Sequence, residues 1–106
     1  MTAHNFMFTY SVSPMGDDER SADVIRSRIA RLDGQHNWTK LEYVETAFKG
    51  KIHLFSSLID SKRSEAKAEI TKILQTVFDN NYPIYKVYVS VALLVDGLNE
   101  VIEFRF

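Results

Sequence analysis

The residues able to do chemistry are few in this chain, and they gather in a few places. Asp17, Asp18 and Glu19 form an acidic run directly after a strand-like segment. Mg²⁺ is commonly held by one or two carboxylates plus water, so Asp17 and Asp18 are the candidate ligands and catalytic acids. The same acids suit the start of a helix, where a carboxylate accepts backbone N–H groups and offsets the positive end of the dipole. That capping reading is the favoured one. Arg20, Arg26, Arg28 and Arg31 make the next segment basic and could contact the phosphates of a nucleic acid. A solvated helix face, with long side chains lying along the surface, is the favoured alternative.

The three histidines, His4, His36 and His53, show no ligand spacing such as an i, i+4 pair, so no metal site is expected from them. His53 as a general base would rest on residue type alone. Ser11, Ser13, Ser56 and Ser57 lack a G-x-S-x-G elbow, and the glycine-rich phosphate loops and H-E-x-x-H are absent as well. With no cysteine in the chain, disulfides, thiolate metal sites and cysteine nucleophiles are excluded. No cofactor is expected.

The 106 residues suit one domain, 1–106, and 45% hydrophobic with 25% charged content is ordinary for a soluble globular protein. Thirteen basic and fourteen acidic residues give a net charge of −1, which excludes a strongly basic nucleic-acid footprint but not a local patch. No apolar run reaches the roughly 18 residues a membrane span needs, and Met1–Met15 lacks a basic start followed by an apolar block. The expectation is a cytoplasmic protein without membrane contact.

These residues must be positioned by the elements around them. Asn5–Ser13 alternates Phe6, Phe8, Tyr10 and Val12 with Met7, Thr9 and Ser11, the period of a strand, and Pro14 ends it. From Asp18 to Leu32 the period turns helical, with Ala22, Ile25, Ile29 and Leu32 on one stripe and Gly34 as a left-handed cap beyond it. Trp38–Phe48 and Ile52–Ile59 read as an antiparallel pair joined by a turn at Lys49-Gly50-Lys51. Asp60–Asp79 is the clearest helix, capped by Asp60, Ser61 or Ser64, with Ala66, Ile70, Ile73, Leu74, Val77 and Phe78 inward. Asn80-Asn81-Tyr82-Pro83 is expected to stop it.

Tyr85–Phe106 is the stretch expected to form the core of the sheet. Tyr85, Val87, Val89, Val91, Leu93 and Val95 share one face of a strand, opposite Lys86, Tyr88, Ser90, Ala92 and Leu94. Asp96-Gly97-Leu98-Asn99 is a hairpin break because Asp-Gly tolerates positive φ, and Val101–Phe106 returns as the partner strand. The order β-α-β-β-α-β plus one C-terminal strand is the ferredoxin-like α+β arrangement, an antiparallel sheet with two helices on one face.

The opening Phe8-Thr9-Tyr10-Ser11-Val12 before an arginine-rich helix resembles small ferredoxin-like dimers of the CRISPR spacer-acquisition subunit and GhoS-type endoribonuclease antitoxin group. The resemblance implies a dimer, with the C-terminal strand adding to the partner's sheet. In the metal-dependent members an aspartate ends the first strand; here Ser11 or Ser13 holds that place, and the nearest acids are Asp17 and Asp18.

Two functions follow as expectations. The first is a small homodimeric regulatory or interaction module without catalytic activity. Its interface would use Tyr88 and Leu94 on the uncovered sheet face, and Phe104 and Phe106 on the last strand, toward a second copy or a protein partner. The second is a nucleic-acid-binding protein or metal-dependent endoribonuclease of the GhoS-like kind.

Overall fold

The alternation of Phe6, Phe8, Tyr10 and Val12 with polar neighbours lays the first strand, β1 (Thr2–Pro14), through the middle of the sheet. In the computed structural model, which describes residues 2–81 and 85–106, the chain continues as α1 (Glu19–Ala30), β2 (Thr39–Lys40), β3 (Ala47–Leu54) and α2 (Ile59–Gln75). A 3-10 turn (Thr76–Asn81), β4 (Val87–Val95) and β5 (Ile102–Arg105) complete it. The sheet order is β2-β3-β1-β4-β5, and every neighbouring pair is antiparallel. This is the ferredoxin-like βαββαβ arrangement with an added C-terminal edge strand, as the pattern of elements predicts. Helices α1 and α2 cover one sheet face.

The core lies between that face and the helices. Phe6, Phe8, Tyr10 and Val12 from β1 meet Val87, Val89, Val91, Leu93 and Val95 from β4, with Ile25, Ile29, Ile70 and Leu74 above them. Phe8 is fully buried, its ring 5.0 Å from Trp38 and 5.5 Å from Phe48 between centroids. Among the described residues no polar or charged side chain is buried, so apolar packing carries this core. The closing hairpin turns where expected, with Gly97 at φ 80° and Asn99 at φ 71°. Its strands, however, run from the centre of the sheet to its edge: β1, with two long partners, is the middle strand, and β5 is outermost.

Three expectations are corrected. Lys49-Gly50-Lys51 is not a turn: it lies inside β3, and the preceding strand shrinks to Thr39–Lys40 with turns from Leu41 to Thr46. Gly50 serves another purpose there. A Cβ on it would sit 2.7 Å from the Asn37 carbonyl oxygen and 2.9 Å from the Phe6 ring, so the loop of Gln35–Trp38 crosses the strand only because the side chain is missing. That loop holds His36 and Asn37 at φ 55° and 62°, a conformation that asparagine and histidine tolerate better than branched residues.

Second, α2 starts at Ile59 after Leu58, whose side chain makes no cap. Asp60, Ser61 and Ser64 therefore lie within the helix, and Asp60 acts from its first turn. The helical hydrogen bonding gives way to the 3-10 turn at Thr76, so α2 is shorter than the apolar stripe suggests. The stop at Tyr82-Pro83 falls outside the described residues. Third, α1 ends at Ala30 with Arg31 as its cap, so Gly34 (φ 84°) bends the loop beyond the helix end.

Candidate functional site

Asp18 is the N-cap of α1. Its carboxylate accepts from the Ser21 backbone N–H at 3.1 Å and from the Ser21 hydroxyl at 2.6 Å. The Ser21 hydroxyl, and then the Ser21 amide, hold its carboxyl below the ordinary range. Asp17 is exposed, and its carbonyl oxygen accepts from the Glu19 N–H at 3.0 Å. Among the described residues no three acids or histidines are grouped so as to hold a metal ion. The hydrogen bonds to Ser21 make Asp18 a helix cap.

A depressed carboxyl stabilises the fold above the unfolded-state pKa, about 3.9 for aspartate, and that contribution is lost as pH falls through the folded value. The melting temperature of Asp18→Ala is therefore expected to lie below wild type near neutral pH, with the gap narrowing as pH falls below the unfolded-state value of about 3.9. Curves that stay parallel over that range, followed by circular dichroism, would contradict the cap.

The four arginines divide. Arg26 donates to the Val12 carbonyl oxygen at 2.7 Å and to Asp23 at 2.6 Å. Arg28 donates to the Val77 carbonyl oxygen and to the Tyr85 hydroxyl, each at 2.9 Å, with its guanidinium 4.9 Å from the Tyr85 ring centre. These two side chains fasten α1 to β1 and to the far end of the α2 segment. Arg20 and Arg31 are exposed, but eleven helical positions set them about 16 Å apart along the axis. No single phosphate cradle is formed by the four.

The histidines do not converge. His4 Nδ1 lies 2.9 Å from the Asp96 carbonyl oxygen and 3.4 Å from its carboxylate, while His53 is exposed on the neighbouring β3 and His36 sits in the crossing loop.

The sheet face opposite the helices is uncovered and carries exposed apolar side chains. Met7 and Leu94, opposite each other in the β1–β4 register, remain 38% and 47% exposed. They floor an open groove of about 610 Å³ that Asn5, Lys49, Lys51 and Asp96 also line. Further along the face Tyr88 lies under Arg105, whose guanidinium is 4.9 Å from the ring centre and whose Nε donates to the Ser90 hydroxyl at 3.2 Å. Tyr88 and Leu94 thus share this face, as their strand position predicts. Phe104 and Phe106 do not: they point to the helix side and pack against the core, with Phe106 6.3 Å from Phe78 and the Lys67 ammonium 5.7 Å over Phe104.

Three anchoring side chains carry no local sequence signal. Arg63 on α2 donates from Nε and a terminal nitrogen to the Leu98 carbonyl oxygen, at 2.9 and 2.6 Å, holding the β4–β5 turn. Glu65 accepts from the Phe55 and Ser56 N–H groups and from the Ser56 hydroxyl, and these bonds, the Ser56 hydroxyl foremost, pull its carboxyl below the ordinary range. Asp96 accepts from the Asn5 N–H at 3.0 Å and from the Asn5 side-chain amide at 3.2 Å.

Comparison with protein-family models, with curated proteins and with solved structures gives no match. Function must be argued from the surfaces themselves. Among the described residues no helix is long and apolar enough to cross a membrane.

Proposed function

We propose that this chain is a small homodimeric interaction module that performs no catalysis, with the open sheet face as its partner-binding surface. The observation that carries the reading is the division of labour between the two sides of the molecule. Asp18, Arg26 and Arg28, three of the six residues best suited to chemistry, are engaged in capping and fastening helices. Among the surfaces left unengaged are an apolar strip on the sheet and an outer strand edge, which are features of association. Met7, Tyr88 and Leu94, the first cross-strand from Lys49, suit an apolar partner segment that carries acidic residues.

Light scattering on the full chain tests the oligomeric half of this reading. A mass twice the 12.2 kDa of one chain is expected, and a single-chain mass across the micromolar range would end it.

A nucleic-acid partner is the second reading, in the GhoS-like sense, and one observation favours it. Lys49 and Lys51 lie on the open face, beside Thr39 and Asn5, rather than on the arginine helix. Two phosphate contacts there would make binding to single-stranded RNA fall with salt at a log–log slope of about −1.4. A protein that retains no RNA at low salt leaves the interaction reading alone.

A further inference from the structure

Strand β5 has a partner on one side only. Phe106 and Val89 exchange backbone hydrogen bonds in both directions, at 2.9 and 2.8 Å, so they form a hydrogen-bonded pair of the antiparallel ladder. The register then alternates. Phe104–Val91 and Ile102–Leu93 are hydrogen-bonded pairs, whereas Arg105–Ser90 and Glu103–Ala92 are not. The N–H and C=O groups of Glu103 and Arg105 therefore point away from β4, toward the open edge. Their side chains alternate with Ile102, Phe104 and Phe106, which point inward.

We propose that this edge pairs with the same edge of a second copy, antiparallel, with the two-fold axis passing at Phe104. The proposal rests on the homodimeric reading above and specifies its interface. The register follows from parity and charge. Outward backbone groups occur at alternate residues, so ladder hydrogen bonds form only where one such residue faces another. An axis at Glu103 would set the two Glu103 carboxylates against each other, and an axis at Arg105 would do the same with the guanidiniums. An axis at Ile102 would leave both charges without an opposite partner. With the axis at Phe104, Glu103 faces the partner's Arg105 and Arg105 faces the partner's Glu103. Each of these pairs exchanges two backbone hydrogen bonds.

The surroundings agree with that register. On the helix side, Lys67 of α2 reaches over Phe104. Ser64, Ala68 and Thr71 stand on the same helical stripe as Lys67, where they line a shallow groove, so the helix beside the edge carries small side chains there. The opposite edge of the sheet is protected: β2 is two residues long, and Lys49 and Lys51 stand on the strand behind it, a placement that discourages self-pairing. Glu103 has no hydrogen bond or ion pair within its own chain among the described residues. The paired assembly joins two five-stranded sheets into one, with both open faces on the same side.

Charge reversal tests the pairing. Glu103→Arg is expected to raise the dimer dissociation constant about tenfold or more, because two attractive cross-strand pairs become repulsive. Arg105→Glu should do the same while also releasing Tyr88 and Ser90 within the chain. The double variant Glu103→Arg/Arg105→Glu restores both pairs in reversed sense and should recover most of the lost association, as read by sedimentation equilibrium. Single variants that associate like wild type would overturn the proposal, as would a double variant no better than the weaker single. Leu94→Glu, on the open face, distinguishes an edge-paired dimer from a face-to-face one. A dimer lost with Leu94→Glu but kept with Glu103→Arg would overturn the edge register and leave a face-to-face dimer. A wild-type monomer would end both.

Discussion

Replacing Phe8 by alanine is expected to lower the unfolding free energy by about 3–5 kcal/mol, the usual range for truncating a buried aromatic. Phe8 is fully buried on the central strand, and the rings of Phe6, Tyr10, Trp38 and Phe48 stand 5.0 to 6.3 Å from it. Four rings held by β1, β3 and the loop before β2 cannot all collapse into the space it would leave, so the cavity term adds to the lost transfer energy. With net stabilities of about 5–15 kcal/mol, such a loss would leave a small domain close to its unfolding threshold. Urea titration at one fixed protein concentration gives the comparison, since dimerisation makes apparent stability depend on concentration. A loss below about 1.5 kcal/mol would show that the aromatic cluster repacks and is not the organising core.

Gly50→Ala is the second large effect, and it tests a feature opposite to the sequence expectation. In a turn, alanine at this position would be a modest change. Inside β3 the new methyl group would stand 2.7 Å from the Asn37 carbonyl oxygen, a backbone atom that cannot swing aside as a side-chain tip can. The expected destabilisation is about 1–3 kcal/mol from overpacking, and Gly50→Val should exceed it. Displacement of the crossing loop should be visible as a changed environment of Trp38, which packs between Phe8 and Phe48. Neutral substitutions would place the loop elsewhere.

These two positions also mark what could be read from the sequence and what could not. Phe8 was legible because alternation with polar neighbours at a period of two is written in consecutive residues. The closing hairpin was legible for the same reason, together with Asp96-Gly97. The ferredoxin-like order of elements followed from those local patterns.

Gly50 was misread because its role depends on a loop thirteen residues earlier, and a glycine between two lysines looks like a turn until that crossing is known. The candidate site was less legible than the fold. Asp18 as a cap could be read from acids standing at a helix start, but nothing local distinguishes Arg28, which reaches Val77 and Tyr85, from the exposed Arg31 three residues later. Phe104 and Phe106 are read as interface residues of the last strand, whereas they turn inward against the core, a direction set by the β4–β5 register. The features of β5 that matter for pairing are its outward backbone groups and the Glu103–Arg105 alternation, and these emerge only once the edge is known to be an edge.

Site-resolved amide hydrogen exchange in β5 reports on the edge pairing itself. Within one chain, Phe104 and Phe106 have their N–H groups turned to β4, while those of Glu103 and Arg105 face outward. The paired edge predicts that Glu103 and Arg105 amides are protected as well, and that this protection falls on dilution as the dimer dissociates. Fast exchange at Glu103 and Arg105 in a sample of dimeric mass, with Phe104 and Phe106 still slow, would contradict it.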